Sequence, residues 1–255
     1  MPFGHRKAEV RKVMKMLKSI IAGVVVMSIA AVDLTACVPN RKEQEAQAVQ
    51  MLNEKYHEEF EVEKYLGQES MSDYYEVLAF STEHPDILFE AKAAVDGSFI
   101  TDEYVASRVC RAAEEQIERN LGGLTGYLQV KVQAVSKSID SVQADMSMQD
   151  FMSIKTKNRF AVYLIYYPAE KNIAQAYQAL ANTFAGLECM SGNLKLYITN
   201  EKVLKQVQTY LTETAKVDYE FDEVLEHTEP VTLPFENGVI QVSETQFREM
   251  AGDWL

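Results

Sequence analysis

Tyr74-Tyr75-Glu76-Val77-Leu78-Ala79-Phe80-Ser81-Thr82-Glu83-His84-Pro85-Asp86-Ile87-Leu88-Phe89-Glu90-Ala91-Lys92-Ala93-Ala94-Val95 alternates twice. In 74–82, Tyr75, Val77 and Ala79 fall to one side, and Tyr74, Glu76, Leu78 and Phe80 to the other. In 86–95, Ile87, Phe89, Ala91, Ala93 and Val95 form a continuous apolar face. A period of two means a strand with one face on a core. His84-Pro85-Asp86 reads as the turn between the two strands, and Asp96-Gly97-Ser98 ends the second. So short a connection joins antiparallel neighbours. Upstream, 59–66 repeats the pattern, with Phe60, Val62 and Leu66 against Glu59, Glu61, Glu63 and Tyr65. Three antiparallel strands therefore open the folded part of the chain.

Helical periods separate the remaining strands. Residues 41–55 are helical, with Val49, Leu52 and Tyr56 on one weak face, so that part of this segment could be a solvated stalk. Across 102–121, Val105, Val109, Ala113, Ile117 and Leu121 recur every four residues, and Gly122-Gly123 closes the helix. Leu128, Val130, Val132 and Ala134 alternate along 127–135. A short helix is expected near 147–154. Phe160-Ala161-Val162-Tyr163-Leu164-Ile165-Tyr166 is apolar throughout, which suits a central strand covered on both faces. Helix 170–186 presents Ile173, Tyr177, Leu180, Phe184 and Leu187. Strand 193–199 follows, then helix 201–214 capped by Asn200, with Val203, Val207 and Leu211 on its face. Strands 216–225 and 231–242 come next, the latter folded at Glu236-Asn237-Gly238. Ser243 and Gln246 form a capping box for a terminal helix. The order predicts an α+β fold, mostly antiparallel sheet with packed helices. Its expected core is Phe60, Val77, Phe89, Val109, Ile117, Val130, Val162, Leu164, Leu180, Phe184, Leu196, Leu211 and Phe221.

The 255 residues are 47% hydrophobic and 25% charged, the composition of an ordinary globular protein. Charge is unevenly spread. Residues 1–36 hold six Lys/Arg and two acids, which leaves 19 basic and 36 acidic residues in 37–255, a net of −17. So acidic a body repels phosphate backbones, which excludes nucleic acid as a partner, and it repels anionic lipid. Membrane attachment would have to be covalent or hydrophobic, and a docked protein partner would be basic.

From Ser19 to Val32 the chain has no charge, preceded by lysines. As a helix this run would span about 21 Å, short of the ~30 Å hydrocarbon core but matched to a signal-peptide apolar region. Leu34-Thr35-Ala36-Cys37 follows and resembles the lipobox of bacterial lipoproteins: an aliphatic residue, two small ones, then cysteine. The resemblance implies that signal peptidase II removes residues 1–36 and that Cys37 carries a diacylglycerol thioether. The protein would then sit lipid-anchored on the extracytoplasmic face of the cell membrane, since two acyl chains anchor stably where one does not. An uncleaved membrane anchor, or a buried helix with a chance cysteine, is the alternative. Met14 or Met16 would give a leader of more usual length than Met1. Further on, Asn53-Glu54-Lys55-Tyr56 through Phe60-Glu61-Val62, then Asp96-Gly97 and Asp102-Glu103-Tyr104-Val105, resemble uncharacterised lipoproteins of Gram-positive bacteria, which brings no activity.

Motifs for chemistry are missing. His57-Glu58-Glu59-Phe60-Glu61 starts like a zinc-hydrolase helix, but Glu61 stands where the second imidazole must be. No nucleophile elbow, Walker loop or dinucleotide fingerprint is present. Gly122-Gly123-Leu124-Thr125-Gly126 follows a helix, whereas a phosphate cradle precedes one. Asp218, Glu220 and Asp222 share a strand face and could hold Ca²⁺, although a solvated outer face explains them better. Cys110 and Cys189 read as two thiols, with a disulfide as the other option for an exported protein. Thirteen tyrosines, Tyr74 among them, serve sheet packing or a partner surface.

The expected layout is a signal peptide over 1–36, a tether and first helix over 37–58, an N-terminal α+β part over 59–136, a boundary loop over 137–158 and a C-terminal α+β part over 159–255. The last part and 59–136 could form one domain. The expected role is non-catalytic binding or scaffolding of a basic envelope protein, with no cofactor, no metal and Tyr74 on the contact surface. Ligand capture in the manner of a solute-binding lipoprotein is the alternative.

Overall fold

A computed structural model describes residues 40–121, 124, 126–135, 143–154, 159–168, 172–213 and 229–252, with Tyr127, Leu128 and 211–213 in backbone only. Leu34, Thr35, Ala36 and Cys37 lie outside the described residues. So do the strand expected over 216–225, Phe221, and Asp218, Glu220 and Asp222.

Helix α1 (Arg41–Tyr56) leads into β1 (Phe60–Gly67), β2 (Tyr74–Ser81), β3 (His84–Ala94) and the short β4 (Ile100–Asp102). These four strands form an antiparallel sheet in sequence order. Asn40 starts α1 with a capping box, its side chain accepting from Lys42 N and Glu43 N while Glu43 reaches back to its backbone. The helix buries Gln44, Ala48, Leu52 and Tyr56. It is therefore a packed element and not a stalk, and its contact face is one residue offset from Val49.

Two details of the opening strands differ from the sequence reading. The β2–β3 turn is Thr82-Glu83, with Ser81 paired to His84, so Pro85 lies inside β3. Proline is tolerated there because β4 pairs only with Ala91–Ala93, leaving that stretch of β3 without a neighbour on one side. In β1 the register shifts between Val62 and Lys64 and again between Tyr65 and Gly67. Each irregularity rotates the strand, so Tyr65 packs on the core and Leu66 is turned outward.

Helix α2 (Tyr104–Asn120) packs against β3 and β5 (Gly126–Ala134). Its stripe of Val105, Val109, Ala113 and Ile117 is buried, and Leu121 just beyond it is buried too. A second sheet has the order β5, β6 (Phe160–Pro168), β7 (Gly192–Ile198), β8 (Val231–Glu236), β9 (Val239–Ile240). Among the described residues only β6 and β7 run parallel, and α4 (Ile173–Ala185) is the crossover that a parallel pair requires. Gly192 opens β7 so close to β6 that a Cβ would stand 1.9 Å from Phe160 O. At the β8–β9 hairpin, Asn237 (φ 47°) and Gly238 (φ 75°) take the two left-handed positions of a tight turn.

The short helix α3 (Met148–Ile154) buries Phe151 beside Phe160. Helix α5 (Glu201–Glu213), capped by Asn200, covers the far side of β6 and β7 through Leu204 and Val207 against Ile165 and Tyr197. The terminal helix α6 (Glu244–Ala251) starts with both halves of the Ser243–Gln246 capping box. One core runs from Leu52 and Phe60 through Val109 and Ile117 to Leu180, Phe184 and Phe235. Of the expected core, every residue with a described side chain is buried in it. The class is α+β with two mostly antiparallel sheets.

Candidate functional site

Two groups of polar side chains flank the first sheet, one inside and one outside. The inner group gathers where α1 ends and α2 begins. Asp102 is the last residue of β4, and its side chain has no exposed surface. Its carboxylate accepts from Lys55 Nζ at 2.7 Å, Tyr56 OH at 2.8 Å and Tyr104 N at 3.0 Å. Glu58 accepts from Tyr104 OH at 2.6 Å and Ser81 Oγ at 3.1 Å, and Arg108 stands 3.9 Å away. Rings close over these groups, with Tyr104 within 5.1 Å of Tyr56 and 5.0 Å of both Phe60 and Phe89. Burial is the main reason the Tyr104 phenol is pushed up to about 12, and the neighbouring carboxylate Glu58 adds to it. Burial and Asp102 likewise push the Tyr56 phenol far above its ordinary value. Asp102 is paired, hydrogen-bonded and out of reach of solvent. The arrangement is that of a latch joining α1, β4 and α2.

The outer group lies on the side of the sheet turned away from the core. Tyr75, Val77 and Ala79 of β2 and Phe89, Ala91 and Ala93 of β3 face inward. Strand alternation therefore sends Tyr74, Glu76, Leu78, Glu90 and Lys92 outward. Lys92 Nζ sits 4.2 Å from the centre of the Tyr74 ring and 2.8 Å from Glu76 Oε1. Its ammonium is held charged above the ordinary lysine range, chiefly by the Glu76 hydrogen bond. Beside this pair is a cleft of about 150 Å³ lined by Glu76, Glu90, Lys92, Thr101, Asp102 and Glu103. Glu76, Glu90 and Glu103 bring carboxylates to it and Lys92 an ammonium, while the Asp102 carboxylate is turned into the latch. The cleft can take a cation at its wall while a planar or apolar group rests on Tyr74.

Of the residues singled out from sequence, Tyr74 is on this surface, half-buried at the start of β2. Cys37 and the three residues before it are outside the described residues. His57 is the left-handed residue ending α1, and His84 begins β3. Cys110 is buried and Cys189 half-buried, both as thiols. Among the described residues no group of three or more His, Cys, Asp and Glu could hold a metal ion. No described helix is long and apolar enough to cross a membrane. Sequence reading missed Glu76, Glu90 and Lys92 as a group. The signal was available: once the hairpin register is set, Glu76 and Lys92 are cross-strand partners on the non-core face.

No protein-family model matches the chain. No curated protein matches it either. The fold is similar to the crystal structure of a DUF5037 family protein from Ruminococcus gnavus, with a TM-score of 0.61 and 15% identity, over 81% of this chain and 98% of that one. That likeness concerns the fold alone.

Proposed function

We propose that the protein is a lipid-anchored extracytoplasmic binding protein, held to the membrane through acylated Cys37, that docks a basic envelope protein and performs no covalent chemistry. One observation carries the docking: the outer face of β1–β4 offers Tyr74 and an acidic cleft side by side, on a body with a net charge of −17 over 37–255. A lysine or arginine entering the cleft meets Glu76, Glu90 and Glu103, and its stem can lie on the Tyr74 ring. The lipobox-like Leu34-Thr35-Ala36-Cys37 supports the anchoring. Capture of a small solute is the second reading, and the cleft is about half the size of the smallest usual ligand pockets, ~300 Å³.

Crosslinking in intact cells followed by mass spectrometry tests the docking. The same envelope protein should be recovered reproducibly with the wild type and lost with Tyr74→Ala and with Glu90→Lys. Fatty-acid labelling should mark the wild type and not Cys37→Ser. Turnover of a peptide or cell-wall substrate by the purified protein would overturn the non-catalytic reading. A ligand-specific thermal shift of several degrees would favour solute capture.

A further inference from the structure

The first sheet has two ends, and they are unlike. At one end are the β2–β3 turn, Thr82-Glu83, and the Glu58–Ser81 hydrogen bond. At the other are the β1–β2 loop, the β3–β4 turn and the start of α1. Contacts fix that second grouping. Gln44 of α1 donates to Gln68 Oε1 at 3.0 Å and accepts from Tyr65 OH at 2.7 Å. Gln47 Nε2 lies 3.5 Å from Val95 O, and Arg41 rests over the Tyr65 ring. Asn40 comes four residues before Gln44, so it projects about 6 Å further along the helix axis.

Two apolar side chains mark this end. Met71 is wholly exposed at the tip of the β1–β2 loop, and Phe99, at 44% exposure, stands at the tip of the β3–β4 turn. Met71 also has φ 68°, in the left-handed region that strains a long side chain. It holds the third position of a turn closed by Ser72 N–H to Glu69 O at 3.0 Å, where glycine or asparagine is usual. Gln68 Nε2 to Ser72 O at 2.7 Å pins the loop in that shape.

Chain length says what lies opposite. Asn40 is the third residue after Cys37, a reach of at most about 10 Å. If Cys37 is acylated, the end of the sheet beside Asn40 cannot leave the bilayer surface. We infer that this end is a membrane-contact face, with Met71 and Phe99 dipping into the lipid interface and the outer face of β1–β4 held upright beside them. The inference rests on the anchoring proposed above. Glu69, Asp73 and Asp96 are exposed at the same end and oppose anionic lipid, so the contact is apolar and suits a zwitterionic interface.

The test uses the full-length chain, expressed in a bacterium that acylates lipoproteins and reconstituted in phosphatidylcholine vesicles containing brominated lipid. The one tryptophan is removed as Trp254→Phe, and a reporter is introduced as Met71→Trp, Phe99→Trp or Thr82→Trp. Circular dichroism confirms that each variant is folded. Interfacial groups penetrate ~5–10 Å, so about half of the emission should be quenched at positions 71 and 99. Position 82 lies about 25 Å away along the eight residues of β2 and should lose less than about a tenth. Absence of quenching at 71 and 99, or equal quenching at all three positions, in protein whose mass shows acylation overturns the inference and leaves the anchoring intact. Protein of unacylated mass that does not associate with vesicles overturns both.

Discussion

Asp102 and Glu114 are both buried carboxylates, and they behave differently. Asp102 has three donors on its two oxygens, and removing it strands a lysine and a tyrosine hydroxyl inside the protein. Asp102→Ala should cost about 3–5 kcal/mol in urea denaturation, the range for breaking one side of a buried ion pair. Glu114, on α2, reaches the edge strand β5 and accepts from Val132 N at 2.9 Å, with Lys131 at 3.5 Å and Arg111 at 3.3 Å. Burial pushes its carboxyl above the ordinary 4.5, and those three neighbours only partly oppose the shift. The folded state therefore binds this proton more tightly than the unfolded chain. Stability from this group is present below about pH 4.5 and is lost as pH rises through the raised value. Relative to Glu114→Gln, the wild type should lose stability over that window, as measured by urea midpoints at stepped pH. A parallel pH dependence in the two proteins would contradict it.

The helices are where hydrophobic spacing spoke most clearly. A period of four along Val105–Leu121 and spacings of three and four along Ile173–Leu187 survive any detail of tertiary packing, and those faces are the buried ones. Truncating Leu180 or Phe184, both almost fully buried, to Ala should cost about 2–5 kcal/mol. A loss under ~1 kcal/mol would mean that α4 is rotated. Strand β1 was less legible, because two register shifts swap Tyr65 and Leu66 and no composition rule marks where a ladder will slip. Pro85 misled for a related reason: it is a turn former that an unpaired stretch of β3 accommodates. The latch was invisible in sequence, since Asp102 meets Tyr56 and Lys55 across 46 and 47 positions and each looks like a surface residue by itself.

Over the whole molecule, the acidic charge bears on the attachment and the docking proposed above. An acidic body close to a bilayer keeps its distance from anionic headgroups and draws basic partners. Capture of such a partner should weaken steeply as salt rises from about 50 to 500 mM, because the Debye length falls from roughly 14 to 4 Å over that range. Capture indifferent to salt would point to an apolar contact surface elsewhere. The acidic excess and the lipobox-like segment were both plain in the sequence. The pairing of Tyr74 with Lys92 and the cleft beside them needed the sheet register, because neither strand holds enough of the surface by itself.

Helix α1 runs back along the sheet from Asn40 to the Asp102 latch, and this determines how the protein bears load. A pull at Asn40 along the helix axis cannot peel α1 away one turn at a time. It shears the whole length at once: Gln44 and Gln47 near the point of pull, Ala48 and Leu52 in the middle, Tyr56 and Lys55 at the far end. Contacts loaded in parallel share the force, whereas contacts loaded in series fail singly. Stretched from its N-terminal side, the protein should yield in one high-force event that Asp102→Ala lowers. Pulled sideways from the β2–β3 turn, it should open more gently.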